Sequence, residues 1–342
     1  MFNIQFKETQ TILTELLGPL QEMGETIDFY FDHVIDGEIL NPFLSGERIT
    51  MANNEALPPE FFKGFGIRTL ILDTSHGRLS FSEKNFVDTI NRDAETFRWR
   101  SLKDDLILDD LNMLFKNVQI VVFDDWSDVQ NASDLWDNLR RNVLMPLKRS
   151  DFHFIFYLGD TAMRLAFEVD EFLDIVCDFS VHGKVTLVLD EQNIDNMWAM
   201  YFGRNANNSI LPGLREKCRS VFDLINIEHV LIESFASTIL FSRQQQFEIE
   251  ARNSRRISNI DKKYFDSGYM LGLLLKMNIS HSIVLGLAVS GIYTENGLKP
   301  DRRALLYYIE NWMSEKESYQ INERELTASR SNTISFQFLS PA

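Results

Sequence analysis

Two groups of side chains in this sequence are of types that do chemistry. Phe123-Asp124-Asp125-Trp126, with Asp128 close behind, offers paired carboxylates at the end of an apolar run, the raw material of phosphatase-type metal chemistry. Adjacent acids on an extended chain diverge, so that chemistry needs a third carboxylate converging on the same metal; without one, the run is a solvated strand terminus. Arg252, Arg255, Arg256 and Lys262 form the only locally basic stretch of an acidic chain. Runs of this kind are ordinarily solvated loops. Other chemistries are excluded by pattern: there is no Gly-x4-Gly-Lys-Ser/Thr phosphate loop, no Gly-x-Gly-x-x-Gly after the first strand and no Gly-x-Ser-x-Gly elbow. His33, His76, His153, His182, His229 and His281 show no i, i+4 pairing and read as packing or surface residues. Cys177 and Cys218 have no zinc spacing and read as two buried thiols in a reducing compartment.

The chain has 342 residues, room for one large domain or two ordinary ones. Its 34 Lys+Arg against 50 Asp+Glu give a formal charge of −16, a field that repels nucleic-acid phosphates and anionic membranes and argues against binding to either. A hydrophobic share of 44% with 25% charged residues is that of a packed globular chain, and 27 Phe predict a well-filled core. The segment MFNIQFKETQTILTELL lacks a basic region followed by an apolar one, and apolar runs such as Val284–Val289 are too short to span a bilayer. These features predict a soluble cytoplasmic protein.

The elements that must position any site follow from periodicity. Apolar, β-branched runs predict strands over Ile67–Leu72, Val118–Phe123, His153–Leu158, Lys184–Leu189, His229–Glu233 and Thr238–Ser242. Amphipathic spacing predicts helices over Asp134–Leu147, Thr161–Asp178 and Leu214–Leu224, then Tyr264–Met277, Ser280–Tyr293 and Arg302–Ser314. Apolar strands joined by helix-length crossovers imply an α/β fold, with a mostly parallel sheet covered on both faces. Residues 24–60 and 73–105 interrupt the pattern and read as lid insertions over the carboxyl edge of the sheet. Gly268 and Gly272, four apart on one helix face, allow a neighbouring backbone to approach closely.

Residues 228–312 are the most informative: a strand (EHVLIE), a turn (Ser234-Phe235-Ala236), a partner strand (STILFS), a polar loop over Arg252–Lys263 and a helix beginning Tyr264-Phe265-Asp266-Ser267-Gly268, then ISHSIVLGLAVSGIYTENGLKPDRRALLYYIENW. This order, and these residues, resemble the carboxyl-terminal signature of the ribokinase-like (phosphofructokinase-B type) carbohydrate kinases. Phe123–Ser127, Leu135–Leu139, Phe156–Asp160 and Lys184–Glu191 resemble the central strands and helix of a subgroup of that family. The match covers roughly residues 25–315. It implies a ribokinase-like α/β fold with a small β lid: residues 1–315 as one domain and 316–342 as a carboxyl-terminal extension.

The resemblance also implies a site, and departures from it. The family's Gly-Ala-Gly-Asp turn, which holds the transferring phosphate and supplies the base, falls on Ile260-Asp261-Lys262-Lys263. Both glycines are gone, and Lys263 occupies the base position. An ammonium cannot accept a proton, and losing general-base catalysis costs about 10²–10⁴ in rate. Asp190-x-x-Asn193 inverts the family's Asn-x-x-Glu, keeping one carboxylate and one amide for water-mediated Mg²⁺ contact. Ala52-Asn53-Asn54-Glu55 stands where the family's sugar-backing glycines belong. Asp32 and Asp36, in Phe31-Asp32-His33-Val34-Ile35-Asp36, resemble the motif whose Asp binds sugar hydroxyls; the other reading of Asp32 is a solvated strand-end acid. Lys263 is either solvated in an abandoned site, or pairs with Asp32, Asp160 or an anionic ligand.

The expectation is therefore a homologue of ATP-dependent sugar kinases with impaired phosphoryl transfer. It would act by binding a small polar molecule (a sugar or nucleoside) or a protein partner, an active homologue among them. The rival expectation is a working kinase, with ATP and Mg²⁺, whose base is Asp261 or Asp266. Lid strands of this family pair between subunits, so a homodimer is a further expectation.

Overall fold

Alternation along the strands explains the architecture. In Ile120–Phe123 (β5), Val121 and Phe123 face one core while Ile120 and Val122 face another. Phe154 and Phe156 of Phe152–Tyr157 (β6) join the first core and Ile155 the second. A sheet apolar on both sides must be covered on both sides, which is the α/β architecture expected. The computed structural model describes residues 5–6, 9, 11–21, 48–51, 69–73, 80–82, 108, 111–112, 115–116, 119–123, 126–128, 132–161, 164–203, 212–234, 237–250, 259–297 and 300–314.

The remaining strands are β1 (Gln5–Phe6), β2 (Arg48–Met51), β3 (Thr69–Asp73), β4 (Ser80–Ser82), β7 (Gly183–Asp190), β8 (His229–Glu233), β9 (Ser237–Ser242) and β10 (Gln246–Glu250). They form one sheet in the order β1-β10-β9-β8-β7-β6-β5-β2-β3-β4. The run from β3 through β8 is parallel throughout, β8-β9-β10 is an antiparallel meander, β4 closes the far edge antiparallel, and β1 pairs parallel with β10. β2 falls inside the 24–60 stretch read as a lid insertion, and it is a main-sheet strand held between β3 and β5. The rest of that stretch, most of 73–105 and the extension 316–342 lie outside the described residues.

Helices α2 (Ala132–Leu139), α3 (Ala166–Phe179), α4 (Glu191–Phe202) and α5 (Leu214–Leu224) cover one face, over an aromatic core in which Phe123 stacks on Phe156 at 4.4 Å and packs against Trp136 and Phe179. A π-helical turn over Arg140–Leu144 prolongs α2 to Leu147. The other face carries α1 (11–21), α6 (Asn259–Leu274), α7 (Ile279–Asn296) and α8 (302–314). The glycine spacing does what it predicts: a Cβ at Gly268 would lie 2.6 Å from the Leu285 carbonyl oxygen, and one at Gly272 2.6 Å from Ser282 Cα. α6 and α7 therefore touch backbone to backbone.

One boundary differs from expectation. Helix α6 begins at Asn259, so Ile260-Asp261-Lys262-Lys263 is its first turn and not a turn preceding it. Nothing in those four residues breaks a helix: no Gly, no Pro, and an acid where a helix start favours one.

Candidate functional site

Asp190 ends β7 and Glu233 ends β8, and the two are register partners at the carboxyl edge of the sheet. The period of two places Thr186, Val188 and Asp190, with His229, Leu231 and Glu233, on the face that α6 covers. On α6, Lys262 lies in the first turn and Asp266 one turn later on the same stripe. Three acids and one lysine from two strand ends and one helix start thus meet in the crevice where α/β sheets bind ligands.

Asp190 is heavily engaged. Its Oδ1 accepts from the Asn193 backbone N–H at 2.8 Å, and Asn193 Oδ1 accepts from the Asp190 N–H at 3.1 Å, a reciprocal box at the start of α4. Asp190 Oδ2 accepts from Lys262 Nζ at 2.8 Å. Asn193 Nδ2 donates to the Gly159 carbonyl at 2.7 Å, and Asn196 Nδ2 reaches Thr161 Oγ1 at 3.3 Å, tying the loop after β6 to the same edge. Gly159 sits at φ 72°, a conformation that favours glycine.

Glu233 is buried, 8% exposed, and Asp266 is 7% exposed. Burial pushes the Glu233 carboxyl well above the usual carboxylate range; the Asp266 charge, its hydrogen bond and the Asp190 charge push the same way, against the pull of Lys262. Burial opposes the Lys262 charge, but the Asp190 hydrogen bond and the surrounding carboxylates hold that ammonium above its ordinary value. Lys262 is thus a fixed cation, and Glu233 a carboxyl that resists ionisation.

The expected site residues fall unevenly. Asp190, Asn193 and Lys262 come together, Lys262 bonding Asp190. Asp32, Asp36, Asp124, Asp125, Ala52–Glu55, Arg252, Arg255 and Arg256 lie outside the described residues, as do the side chains of Ile260, Asp261 and Lys263. Each oxygen of the Asp190 carboxylate and of the Asn193 amide has a protein partner, one of them an ammonium. Among the described residues, no three His, Cys, Asp or Glu side chains are grouped to hold a metal ion. Asp190 and Asn193 as arranged therefore do not fit a divalent cation. Glu233 escapes sequence reasoning altogether, because it follows the apolar run Val230–Ile232 at a strand end and nothing marks it as inward-facing. The Asp190 cap has a signal: Asp-x-x-Asn before a helical segment is a capping-box pattern.

A second polar group lies toward the amino ends of the strands on the same face. His153 Nε2 lies 2.9 Å from Thr186 Oγ1, which lies 3.4 Å from Tyr269 Oη, and the His153 and His229 rings stack at 6.3 Å. Burial, with help from His229 and Lys184, lowers His153 to about 3; burial and Lys184 lower His229 to about 4. Both imidazoles are neutral. On the opposite face, a cleft of about 530 Å³ between α2 and α3 is lined by acids, among them Asp134, Asp170 and Asp174, and by Arg141, with Asp137 and Asp178 paired to arginines. No helix among the described residues is long and apolar enough to cross a membrane.

No protein-family model matches the chain, and no curated protein matches it in sequence. Among solved structures it is similar to a ribokinase from Thermotoga maritima (11% identity, TM-score 0.41, covering 73% of this chain and 75% of that one). It is similar also to a carbohydrate kinase from Agrobacterium tumefaciens (10%, 0.44, 77% and 80%) and to a probable sugar kinase from Rhizobium etli CFN 42 (11%, 0.45, 74% and 71%).

Proposed function

We propose that this chain is a ribokinase-like homologue of ATP-dependent sugar kinases whose phosphoryl transfer is impaired, and that it works in the cytoplasm by binding a sugar, a nucleoside or a protein partner. The observation that carries this is the Lys262–Asp190 ion pair in the first turn of α6. In the family pattern that turn receives a phosphate on open backbone N–H groups and offers a carboxylate to the incoming hydroxyl. Here a carboxylate of the chain itself neutralises the turn's cation, and it also caps α4. An incoming terminal phosphate that took Lys262 as its counter-ion would have to break the Lys262–Asp190 Oδ2 contact. Lys263, at the base position, carries a charge that cannot take a proton.

The test is ATP turnover with Mg²⁺ over a panel of sugars and nucleosides, beside thermal shifts with the same compounds. The expected result is no turnover above the protein-free rate, with stabilisation by at least one neutral ligand; saturation at 100 times Kd adds about 2.7 kcal/mol. Robust turnover that Asp261→Asn abolishes would overturn the proposal in favour of a working kinase with Asp261 as its base. Were ATP consumed in that way, Mg²⁺ would need ligands other than Asp190 and Asn193.

A further inference from the structure

We infer that the Lys262–Asp190 contact is autoinhibitory: Asp190 holds the place of an oxyanion on Lys262, and an oxyanion enters the crevice only by taking that ammonium from it. The inference rests on the proposal above that this turn corresponds to the family's phosphate turn, and it adds what keeps the turn closed. Asp190 Oδ2 lies 2.8 Å from Lys262 Nζ, within the range for an ammonium on any charged oxygen, a phosphate's included. Each side chain is one-third exposed, so water and dissolved anions reach the pair.

The two partners are not equally free to leave. Asp190 Oδ1 accepts from the Asn193 backbone N–H at 2.8 Å, and the Asp190 N–H donates to Asn193 Oδ1 at 3.1 Å. Asn193, itself buried, donates in turn to the Gly159 carbonyl at 2.7 Å. Lys262 instead hangs on a flexible four-carbon stem, and among the described residues Asp190 is its one ion-pair partner. Opening therefore moves the lysine and leaves the carboxylate and the α4 cap where they are. A partner fixed in place on the same chain acts at high effective concentration, so it holds Lys262 against a weakly binding dissolved anion. Its charge also repels any anion that takes its place. Both effects end when the Oδ2 charge is removed, and Lys262 then becomes available to an oxyanion.

The test titrates inorganic phosphate into the full chain at constant ionic strength and reads the apparent Kd from the rise in thermal midpoint. Asp190→Asn drops the charge but keeps an oxygen for the α4 cap, since Asn caps a helix as well as Asp does. This variant is expected to bind phosphate at least about threefold tighter than wild type. Adding Lys262→Met to it is expected to abolish the gain. An Asp190→Asn variant that binds no tighter than wild type overturns the proposal. A gain that survives Lys262→Met overturns it too, because the anion is then held elsewhere. If Asp190→Asn does not fold, Asp190→Ser, which also caps, takes its place under the same two criteria. No nucleotide is present in these titrations. Failure of the kinase-homologue proposal is read from ATP turnover and failure of this one from phosphate affinity, so the two are separable.

Discussion

Lys262 Nζ lies 2.8 Å from Asp190 Oδ2, joining the first turn of α6 to the end of β7 across 72 residues of sequence. Asp190 therefore does two jobs with one carboxylate, holding a cation with one oxygen and capping α4 with the other. Asp190→Ala removes both. The cap is worth about 1 kcal/mol, and the ion pair, each partner one-third exposed and screened, at most about 1 kcal/mol. The expected loss is about 1–2 kcal/mol for Asp190→Ala and at most about 1 kcal/mol for Lys262→Met, read from denaturant midpoints at constant slope. A double-mutant cycle should return a coupling of about 0.5–1 kcal/mol, and additivity would refute the contact.

The seam between α6 and α7 reverses the usual sign of a glycine substitution. Gly→Ala in an exposed helix gains up to about 1 kcal/mol. At Gly268 the new methyl would meet the Leu285 carbonyl oxygen at 2.6 Å and Gly286 Cα at 2.8 Å, backbone atoms that move only if the helices part. Gly268→Ala is expected to destabilise by about 1–3 kcal/mol or more. Gly18→Ala, with nothing within 4 Å of the added carbon, should be neutral or stabilising. Thermal melts of the two variants side by side check the pair of signs.

The stacked histidines predict an acid limb of the stability profile. Their folded values, about 3 for His153 and about 4 for His229, lie below the unfolded value of about 6.5. The unfolded chain thus binds protons first, and stability is full above about pH 6.5 and falls as pH drops toward the folded values. The combined loss is on the order of a few kcal/mol. His229→Gln should flatten this limb between about pH 6 and pH 4; an unchanged limb would show that other groups carry it.

Thiol reactivity should separate the two cysteines. Cys218 is fully buried on α5, and burial pushes its thiol up to about 12, whereas Cys177 is half-buried with a smaller rise from the same cause. A disulfide-exchange reagent near neutral pH should modify Cys177 slowly and Cys218 only on unfolding. Rapid stoichiometric labelling of both in the native protein would contradict the packing of α5.

The fold was more legible than the site, for a physical reason. Periodicity reports which face of an element is apolar, and the strand predicted over His229–Glu233 and the helix over Leu214–Leu224 match the observed bounds. β10 escaped because its buried positions include Gln246 and Glu248, the latter bonded to Ser237 Oγ at 2.5 Å and paired with Arg215. Polar residues satisfied by partners far away in sequence look like loop when read one by one. The same applies to the crevice. Lys262 and Asp190 meet only because β7 and β8 are neighbours and α6 packs back over them, and the burial of Glu233 follows from that packing and not from its own neighbours in the chain.

The pairing of Gln5 and Phe6 with Phe247 and Glu248 sets a schedule for synthesis. Gln5 precedes its partner Phe247 by 242 residues, so at about 5–20 residues per second β1 waits tens of seconds for β10. During that interval the apolar side of α1, including Leu13, Leu16 and Leu20, has no β10 or α7 to lie on. That apolar side stays uncovered for longer than it would beside a strand that pairs with the next one made.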